Sequence, residues 1–363
     1  MKKNIIGLAL AFLCLYFSLS FPVHAAADSG SLVLKYQEYC QRFDAIITHD
    51  DIDRQGFDII EEHIFSFELR DYGEVTFIPA LDRQYHRLGV FIVNGSGRVL
   101  YKTEQLETNN QNRGELKQPN KGLAAVSFQD VNGDRQMDIL LITFCESSTG
   151  SYADQTYKVG DVLFQQSSAA KQTFYRDYRI SDTINQYGMN KSIKFMTSYL
   201  VEGYSTEFLY TSTTLEDLLS NGFEVSNEQE RSWHRFEKWG RLEVVPGSYQ
   251  MAEYRVFMFY LVNEQGNIVW SFQPMREYES LYSLKGIRVT DLDGDGMKDI
   301  VVLAGYLYEQ TDNQSSVRRD YSVYYQRTGG FDEDYKIKNK YRSSNEETLT
   351  QLTEQIHKYW GWN

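Results

Sequence analysis

The stretch Asp291-Leu-Asp-Gly-Asp-Gly-Met-Lys-Asp299, called here the second loop, lies between two apolar runs, Ile287–Val289 and Ile300–Leu303. Its glycines permit a sharp turn that brings the side chains at alternate positions to one centre. Ca²⁺ takes roughly six to eight hard oxygen ligands in loose geometry, so one tight loop can supply most of them. The stretch therefore predicts a calcium loop, whose ligands are the carboxylates of Asp291, Asp293, Asp295 and Asp299 and the carbonyl oxygen of Met297.

Other kinds of metal site fit this stretch less well. Magnesium demands near-ideal octahedral geometry, and zinc favours cysteine or histidine ligands, which the neighbouring sequence does not offer. An EF-hand needs a glutamate at the last position of its loop, where this chain has Val302 inside a strand-like run. We expect a calcium loop between two strands, with a plain solvated turn as the alternative.

A weaker version of the pattern, called here the first loop, runs from Asp130 to Asp138. Its predicted ligands are Asp130, Asn132, Asp134, the carbonyl oxygen of Gln136, and Asp138. Asn132 removes one negative charge, and Arg135 stands where the second loop has Gly296. A non-glycine residue in the left-handed conformation costs about 1 kcal/mol, and a guanidinium group repels a cation. We expect one Ca²⁺ in each loop, bound more tightly in the second; a solvated turn is again the alternative.

The two loops belong to a longer internal match along the chain. They begin 161 residues apart, and each is flanked by apolar, β-branched runs. Upstream, Leu88–Tyr101 matches Phe257–Trp270, and downstream Val162–Gln166 matches Val323–Gln326. Matches in the same order over most of the chain indicate an internal duplication. We predict two β-rich units, residues 27–189 and 190–363, with the linker near Asp182–Asn190.

Short aromatic and β-branched runs separated by turn residues predict a mainly β fold with flanking helices. The predicted strands of the first unit are Glu74–Ile78, Gly89–Val93, Val99–Lys102, Ala124–Phe128, Ile139–Phe144, Asp161–Gln165 and Phe174–Ile180. Hairpin turns are expected at Asn94-Gly95 and Gln265-Gly266. A capping box at Ser344 and Glu347 predicts a C-terminal helix, with Leu32–Ile47 and Asn190–Leu200 in corresponding places. The expected architecture is mainly β, built from two duplicated units; one closed body and two tandem domains both remain open.

The N-terminus has the layout of a secretory signal peptide. Lys2 and Lys3 precede an apolar run and the small residues Ala25–Ala27, so residues 1–26 are expected to be removed on export. An uncleaved membrane anchor is the alternative, and the residues before Cys14 do not suit a lipoprotein cleavage site. The expected location is the periplasm, the cell surface or the exterior, without stable membrane insertion. Cys40 and Cys145, the two cysteines after this segment, could form a disulfide or stay free.

The charge of the chain disfavours two classes of partner. Without Lys2 and Lys3 the chain has 35 basic and 50 acidic residues, a net charge of about −15. Such a balance disfavours nucleic acid and anionic membranes and suits a protein that attracts cations. A protein or polysaccharide of the cell envelope or exterior is the expected partner.

The segments Ala124–Ile142 and Gly286–Leu303, each with D-x-[DN]-x-D-x-x-x-D followed by isoleucine and an apolar strand, resemble the FG-GAP or VCBS repeats of integrin-like β-propellers and secreted bacterial proteins. The resemblance implies a β-propeller-like fold class. It also implies that calcium stabilises the β fold and that the loops carry no catalysis. The spacing of the two motifs exceeds that of adjacent propeller blades. In outline, the chain is also similar to calcium-loop periplasmic proteins that inhibit lysozyme-like enzymes.

Three hypotheses about function follow from these patterns. The first is an exported, calcium-binding, non-catalytic interaction module. The second is a periplasmic inhibitor of a lysozyme-like cell-wall hydrolase. The third is a calcium-dependent hydrolase, although the chain has no G-x-S-x-G, H-E-x-x-H or phosphate-binding glycine motif. Paired catalytic carboxylates depend on tertiary distances, so the sequence leaves the third hypothesis open.

Overall fold

A computed structural model describes residues 36–109, 117–147, 156–166, 173–274, 280–309 and 315–361. The predicted signal peptide at residues 1–26 and the start of the predicted helix Leu32–Ile47 lie outside these ranges. The fold is mainly β, with 47% of residues in strands and 22% in helices. The strands form four antiparallel sheets, and no closed barrel is present among the described residues. The predicted mainly β fold with flanking helices is thus confirmed.

Two sheets come from the first half of the chain. The five-stranded sheet has the order β1-β3-β4-β5, with β2 also paired to β3. Its strands are Phe57–Ile59 (β1), Phe65–Leu69 (β2), Gly73–Asp82 (β3), Leu88–Asn94 (β4) and Val99–Thr103 (β5). The four-stranded sheet has the order β6-β7-β8-β9. Its strands are Lys117–Gln129 (β6), Asp138–Ser147 (β7), Thr156–Gln165 (β8) and Phe174–Arg176 (β9).

The second half of the chain contributes two sheets with the same connections. The five-stranded sheet has the order β10-β12-β13-β14, with β11 paired to β12, and the four-stranded sheet has the order β15-β16-β17-β18. The strands of the first are Glu224–Val225 (β10), Ser232–Phe236 (β11), Gly240–Met251 (β12), Tyr254–Val262 (β13) and Ile268–Phe272 (β14). Those of the second are Ser280–Thr290 (β15), Asp299–Glu309 (β16), Ser315–Arg327 (β17) and Gly330–Glu333 (β18). The first loop joins β6 to β7, and the second loop joins β15 to β16.

The helices lie before, between and after the sheets in the chain. They are 36–44 (α1), His49–Arg54 (α2), Tyr178–Gln186 (α3), Ile193–Leu200 (α4), Phe208–Thr211 (α5), Leu215–Ser220 (α6), Ile337–Lys340 (α7) and Leu349–Tyr359 (α8). Short 3₁₀ helices occur at Glu61–His63 and Glu107–Asn109. None of the described helices combines the length and the apolar character needed to cross a bilayer.

The central strands are buried on both faces, which explains their nearly continuous apolar runs. On β4, Val90 and Ile92 pack against the four-stranded sheet of the same half, while Phe91 and Val93 pack against α1 and α2. The side chains of β16 likewise alternate, so that one set packs with β13 and the other packs with the C-terminal helix α8. Alternate side chains of one strand therefore belong to two different cores.

One further core joins the two halves of the chain. Helices α3 to α6 contribute to a single apolar cluster that reaches Leu140 and Ile142 of β7 on one side. On the other side the cluster reaches Val256 and Met258 of β13. The structure is therefore a stack of layers. Helices α1 and α2 come first, followed by the two sheets of the first half, helices α3 to α6, the two sheets of the second half, and helix α8.

Several local predictions were wrong, for identifiable reasons. The predicted strand Phe174–Ile180 ends at Arg176, because the Asp177 side chain accepts from the N–H groups of Arg179 and Ile180 and starts α3. Helix α3 therefore covers much of the predicted linker. The C-terminal helix begins at a capping box of Thr348 and Gln351, four residues after the predicted one.

The hairpin between β4 and β5 forms where predicted, but the glycine with positive φ is Gly97, with φ +79°, and not Gly95. Its partner at the β13–β14 hairpin is Gly266, also with φ +79°. The side chains of Asn94 and Asn263 each accept from two backbone N–H groups of their turn. Cys40 and Cys145 are both free thiols.

Candidate metal centre in the acidic loops

The second loop is folded by carboxylates that accept backbone hydrogen bonds. Asp291 accepts from the N–H of Gly294 over 2.7 Å and from that of Gly296 over 3.0 Å. Both glycines have φ of +83°, a conformation that an L side chain resists. Oδ1 of Asp295 accepts the N–H of Met297 over 2.8 Å. The sequence folds this way because each turn of the loop has a carboxylate acceptor two to five residues before its donor.

Asp299 is the buried member of the loop, with no exposed surface. Its Oδ2 accepts the N–H of Leu292 over 2.7 Å, and its Oδ1 accepts the N–H of Gln326 on β17 over 2.8 Å. Burial is the main reason that the pKa of Asp299 is raised to about 7. Asp293 and Asp295 act on this pKa in the same direction, and the two backbone donors act against it.

Asp291, Asp293 and Asp299 form a group that is able to hold a metal ion, because one carboxylate oxygen from each lies within 4.8 Å of the others. These three are among the predicted ligands. Asp295 is not part of this group, and its Oδ2 accepts from Arg327 over 3.1 Å. The other arm of the Arg327 guanidinium donates to Oδ2 of Asp293 over 2.8 Å. An arginine from β17 thus already neutralises part of the acidic cluster.

The C-terminal helix supports the second loop from behind. Leu292 is fully buried in the same core as Leu352 and Ile356 of α8. Nε2 of His357 lies 3.3 Å from the carbonyl oxygen of Asp291, which accepts when that nitrogen carries the proton. The loop is therefore held between β17 and α8.

The first loop repeats these backbone contacts with different side chains. Asp130 accepts from the N–H groups of Gly133 and Arg135. Asp138 is buried and accepts from Val131 over 3.0 Å and from Gln165 of β8 over 2.9 Å. Burial raises the pKa of Asp138 to about 6. The contacts match those of Asp291 and Asp299 one for one.

The first loop differs at the positions that sequence comparison singled out. Asn132 donates through Nδ2 to Oδ2 of Asp134 over 3.2 Å, a bond that a carboxylate at this position could not donate. Arg135 adopts φ +64°, the left-handed conformation expected at this position. Among the described residues, no group of three acidic, histidine or cysteine side chains converges at the first loop as it does at the second.

Sequence reasoning missed the residues that anchor the loops from other elements. Gln326 donates Nε2 to the carbonyl oxygen of Lys298 and to Glu237, and its Oε1 accepts the N–H of Lys238. At the first loop, Oε1 of Gln165 accepts the N–H of Met137. The pairing of Gln165 with Gln326 in the internal match was the available signal. Nothing in the sequence pattern pointed to Arg327.

Comparison of the chain with protein-family models matched no family, and comparison with curated proteins found no match. The donor set itself is chemically informative, since three carboxylates with one of them buried favour a hard cation that prefers oxygen ligands. The buried carboxylate, at the start of β16, accepts one backbone N–H from its own loop and one from β17. An ion at this place would therefore act on strand packing.

Proposed function

We propose that this protein is an exported, calcium-binding, non-catalytic interaction module in which calcium stabilises the β fold. The observation that carries the proposal is the convergence of Asp291, Asp293 and Asp299 between β15 and β16. Asp299 also bonds to β17 through Gln326, so an ion held by these carboxylates would link three neighbouring strands. Carboxylate oxygens in a tight glycine-containing loop suit Ca²⁺ better than Mg²⁺ or Zn²⁺.

The hydrogen bonds of Asp299 favour a structural role over a catalytic one. Both of its oxygens accept from backbone N–H groups, and the residue is shielded from solvent. A catalytic acid or base must reach a proton on the substrate. Asp299 has no exposed surface through which a substrate could approach.

The other parts of the proposal have separate support. An internal duplication is supported by two sets of sheets with identical strand order and by matching contacts in the two loops. Export is supported by the layout of residues 1–26, and a protein or polysaccharide partner outside the cytoplasm is proposed on that basis. The net charge of −13 disfavours nucleic acid as a partner.

Thermal unfolding with and without calcium tests this function. Protein stripped of metal should gain several degrees in Tm on addition of Ca²⁺, because a ligand that binds only the folded state at about 100 times its Kd adds about 2.7 kcal/mol. Mg²⁺ should give a smaller shift. Asp291→Ala should abolish most of the calcium shift, and Glu354→Ala, at an exposed position of α8, should retain it.

Two results would contradict the proposal. One is an unchanged Tm when Ca²⁺ is added to metal-free protein. The other is a full calcium shift in Asp291→Ala and in the double variant Asp130→Ala/Asp291→Ala, which would place the bound ion elsewhere.

A further inference from the structure

A cleft of about 450 Å³ opens where the edge strands β14 and β18 of the second pair of sheets meet. We call it the Trp270 cleft. Its lining comes from α3, α5, β14, β17 and β18 and the residues that follow them, and it includes Tyr210, Trp270, Gln273, Phe331 and Glu333. Its volume falls in the range of about 300–1,000 Å³ that is typical of small-ligand sites.

The indole of Trp270 packs closely against the backbone of Gly330 in the cleft wall. A Cβ on Gly330 would lie 2.1 Å from the ring, so only glycine lets the indole rest against this backbone. The rings of Trp239 and Phe331 lie 5.7 and 5.9 Å from that of Trp270. The indole is half-buried, which leaves part of a fixed aromatic surface turned to the cleft.

Polar groups surround this aromatic surface. The hydroxyl of Tyr210 donates to Oε1 of Gln273 over 2.5 Å, which fixes the amide through its oxygen and leaves its NH₂ group to supply donors. Glu333, half-buried, supplies a carboxylate on the opposite strand. Among the residues that the structure describes, the lining contains two further amides and no lysine or arginine. An anionic ligand would therefore be disfavoured by the nearby Glu333 carboxylate.

The cleft at the corresponding edge strands of the first half, β5 and β9, has a different charge pattern. It is about 580 Å³ in volume and is also rich in tyrosine, but Lys102 and Arg176 line it. In strand register, Arg176 takes the place of Glu333. The described linings of the two clefts thus differ in charge, although both clefts lie at the same position in the fold.

We infer that the Trp270 cleft binds a neutral oligosaccharide, with the indole stacked on the C–H face of one sugar ring and with Gln273 and Glu333 hydrogen-bonded to its hydroxyl groups. Sugar rings combine an apolar face with an equatorial rim of hydroxyls, which matches an aromatic floor edged by amides and a carboxylate. The Glu333 carboxylate, together with a described lining that has no lysine or arginine, disfavours uronates, sialylated glycans and phosphates. The inference deepens the proposed interaction function, on which it rests for its biological setting.

The test uses the full chain after residue 26 on an array of neutral hexose and N-acetylhexosamine oligomers, with uronate and sialylated oligomers as the anionic set. The strongest neutral binder then goes to calorimetry with three variants. Trp270→Ala should lose at least about tenfold in affinity, and Gln273→Ala, which changes less of the packing, should lose affinity in the same direction. Trp233→Ala is the control, since that indole lies on β11 outside the cleft lining and is 38% exposed.

Each outcome decides the inference. Binding of a neutral oligosaccharide that is lost in Trp270→Ala and weakened in Gln273→Ala, with Trp233→Ala unchanged, supports it. An array with no neutral binder, binding confined to the anionic set, or binding unchanged in Gln273→Ala overturns it. Enrichment of peptides from a random library by the wild type but not by Trp270→Ala would also overturn it, in favour of a peptide site.

The calcium response of the same samples separates this inference from the proposed function. An empty array from protein that still gains Tm with Ca²⁺ overturns the saccharide site alone. Saccharide binding without any calcium shift overturns the calcium role and leaves the cleft assignment intact.

Discussion

The backbone N–H of Gln326 donates a 2.8 Å hydrogen bond to the fully buried carboxylate of Asp299, and this bond ties the second loop to β17. Asp138 and Gln165 make the equivalent bond at the first loop over 2.9 Å. Each carboxylate also accepts one N–H from its own loop. The ninth residue of each loop, Asp138 or Asp299, therefore connects its loop to a neighbouring strand by a hydrogen bond that needs no metal.

Asp299→Ala should lower the free energy of unfolding by about 3 kcal/mol in metal-free protein, because it leaves two buried N–H donors without acceptors. Urea denaturation in the presence of a chelator measures the loss. Asp332→Ala, at an exposed position of β18, is the control and should stay within about 0.5 kcal/mol of the wild type. A loss of similar size in both variants would mean that the hydrogen bonds of Asp299 do not contribute measurably to stability.

Arg135→Gly should raise the free energy of unfolding by about 0.5–1 kcal/mol, because Arg135 is held at φ +64°. The reciprocal change, Gly296→Ala, should lower it by a similar amount. A Cβ at Gly296 meets no atom within 4 Å, so that loss would come from backbone conformation and not from a clash. Chemical denaturation of both variants tests the pair. Stabilisation by Gly296→Ala would contradict this account.

Arg327→Gln should strengthen calcium binding at the second loop by roughly fivefold. The Arg327 guanidinium donates to Asp293 and Asp295, and this half-exposed ion pair of about 1 kcal/mol competes with a bound cation. In the first half, the residue that corresponds to Arg327 is Gln166, directly after the end of β8. The variant therefore gives the second loop the residue type found beside the first. Calorimetry against Arg318→Gln, an exposed arginine elsewhere on β17, provides the comparison. Weaker binding in Arg327→Gln would show that the arginine assists the site.

Gly330→Ala should destabilise the fold by about 1–3 kcal/mol, because the added methyl group overlaps the ring of Trp270. Tryptophan fluorescence should shift with it, as the indole is displaced. Gly329→Ala is the matched control, since a Cβ there meets nothing within 4 Å. Equal stability of the two variants would argue against close packing of the indole on Gly330.

The unfolding free energy should also fall between about pH 4 and pH 7 through Asp161. This buried carboxylate pairs with Arg176, which also pairs with buried Glu107, and burial raises the pKa of Asp161 to about 6. A raised folded-state pKa means that the folded protein binds this proton more tightly than the unfolded chain, whose pKa is about 3.9. The contribution is complete below the unfolded value and is lost as pH rises through 6. Asp161→Asn should flatten the pH profile, and Asp58→Asn, an exposed partner of Arg83, should not.

Local sequence predicted the strands well where burial on both faces gives long apolar runs, as at β4 and β16. It failed where one side chain decides between strand and helix. Phe174–Ile180 reads as one strand by composition, yet the carboxylate of Asp177 caps two N–H groups and starts α3 at Tyr178. Such a choice depends on a hydrogen bond formed only in the folded chain.

The residues of the candidate site were likewise predictable only in part. Asp291, Asp293 and Asp299 were predictable because the ligands of a tight loop are close in sequence, and the structure brings these three together. Arg327 lies 28 residues beyond Asp299, so no local pattern could connect it with the cluster. The Trp270 cleft draws on five elements, and its lining could not be assembled before the packing of the sheets was known.

Helices α3 to α6 have a practical consequence for anyone who wishes to study the two halves separately. A cut between residues 189 and 190 would leave α3 with one fragment and α4 to α6 with the other, although one cluster holds all four against β7 and β13. Each fragment would lose part of the helical cover of its sheet and expose apolar surface to solvent, which promotes aggregation. Fragments that overlap, the first continuing to Ser220 and the second starting at Tyr178, would each keep the complete helical cover.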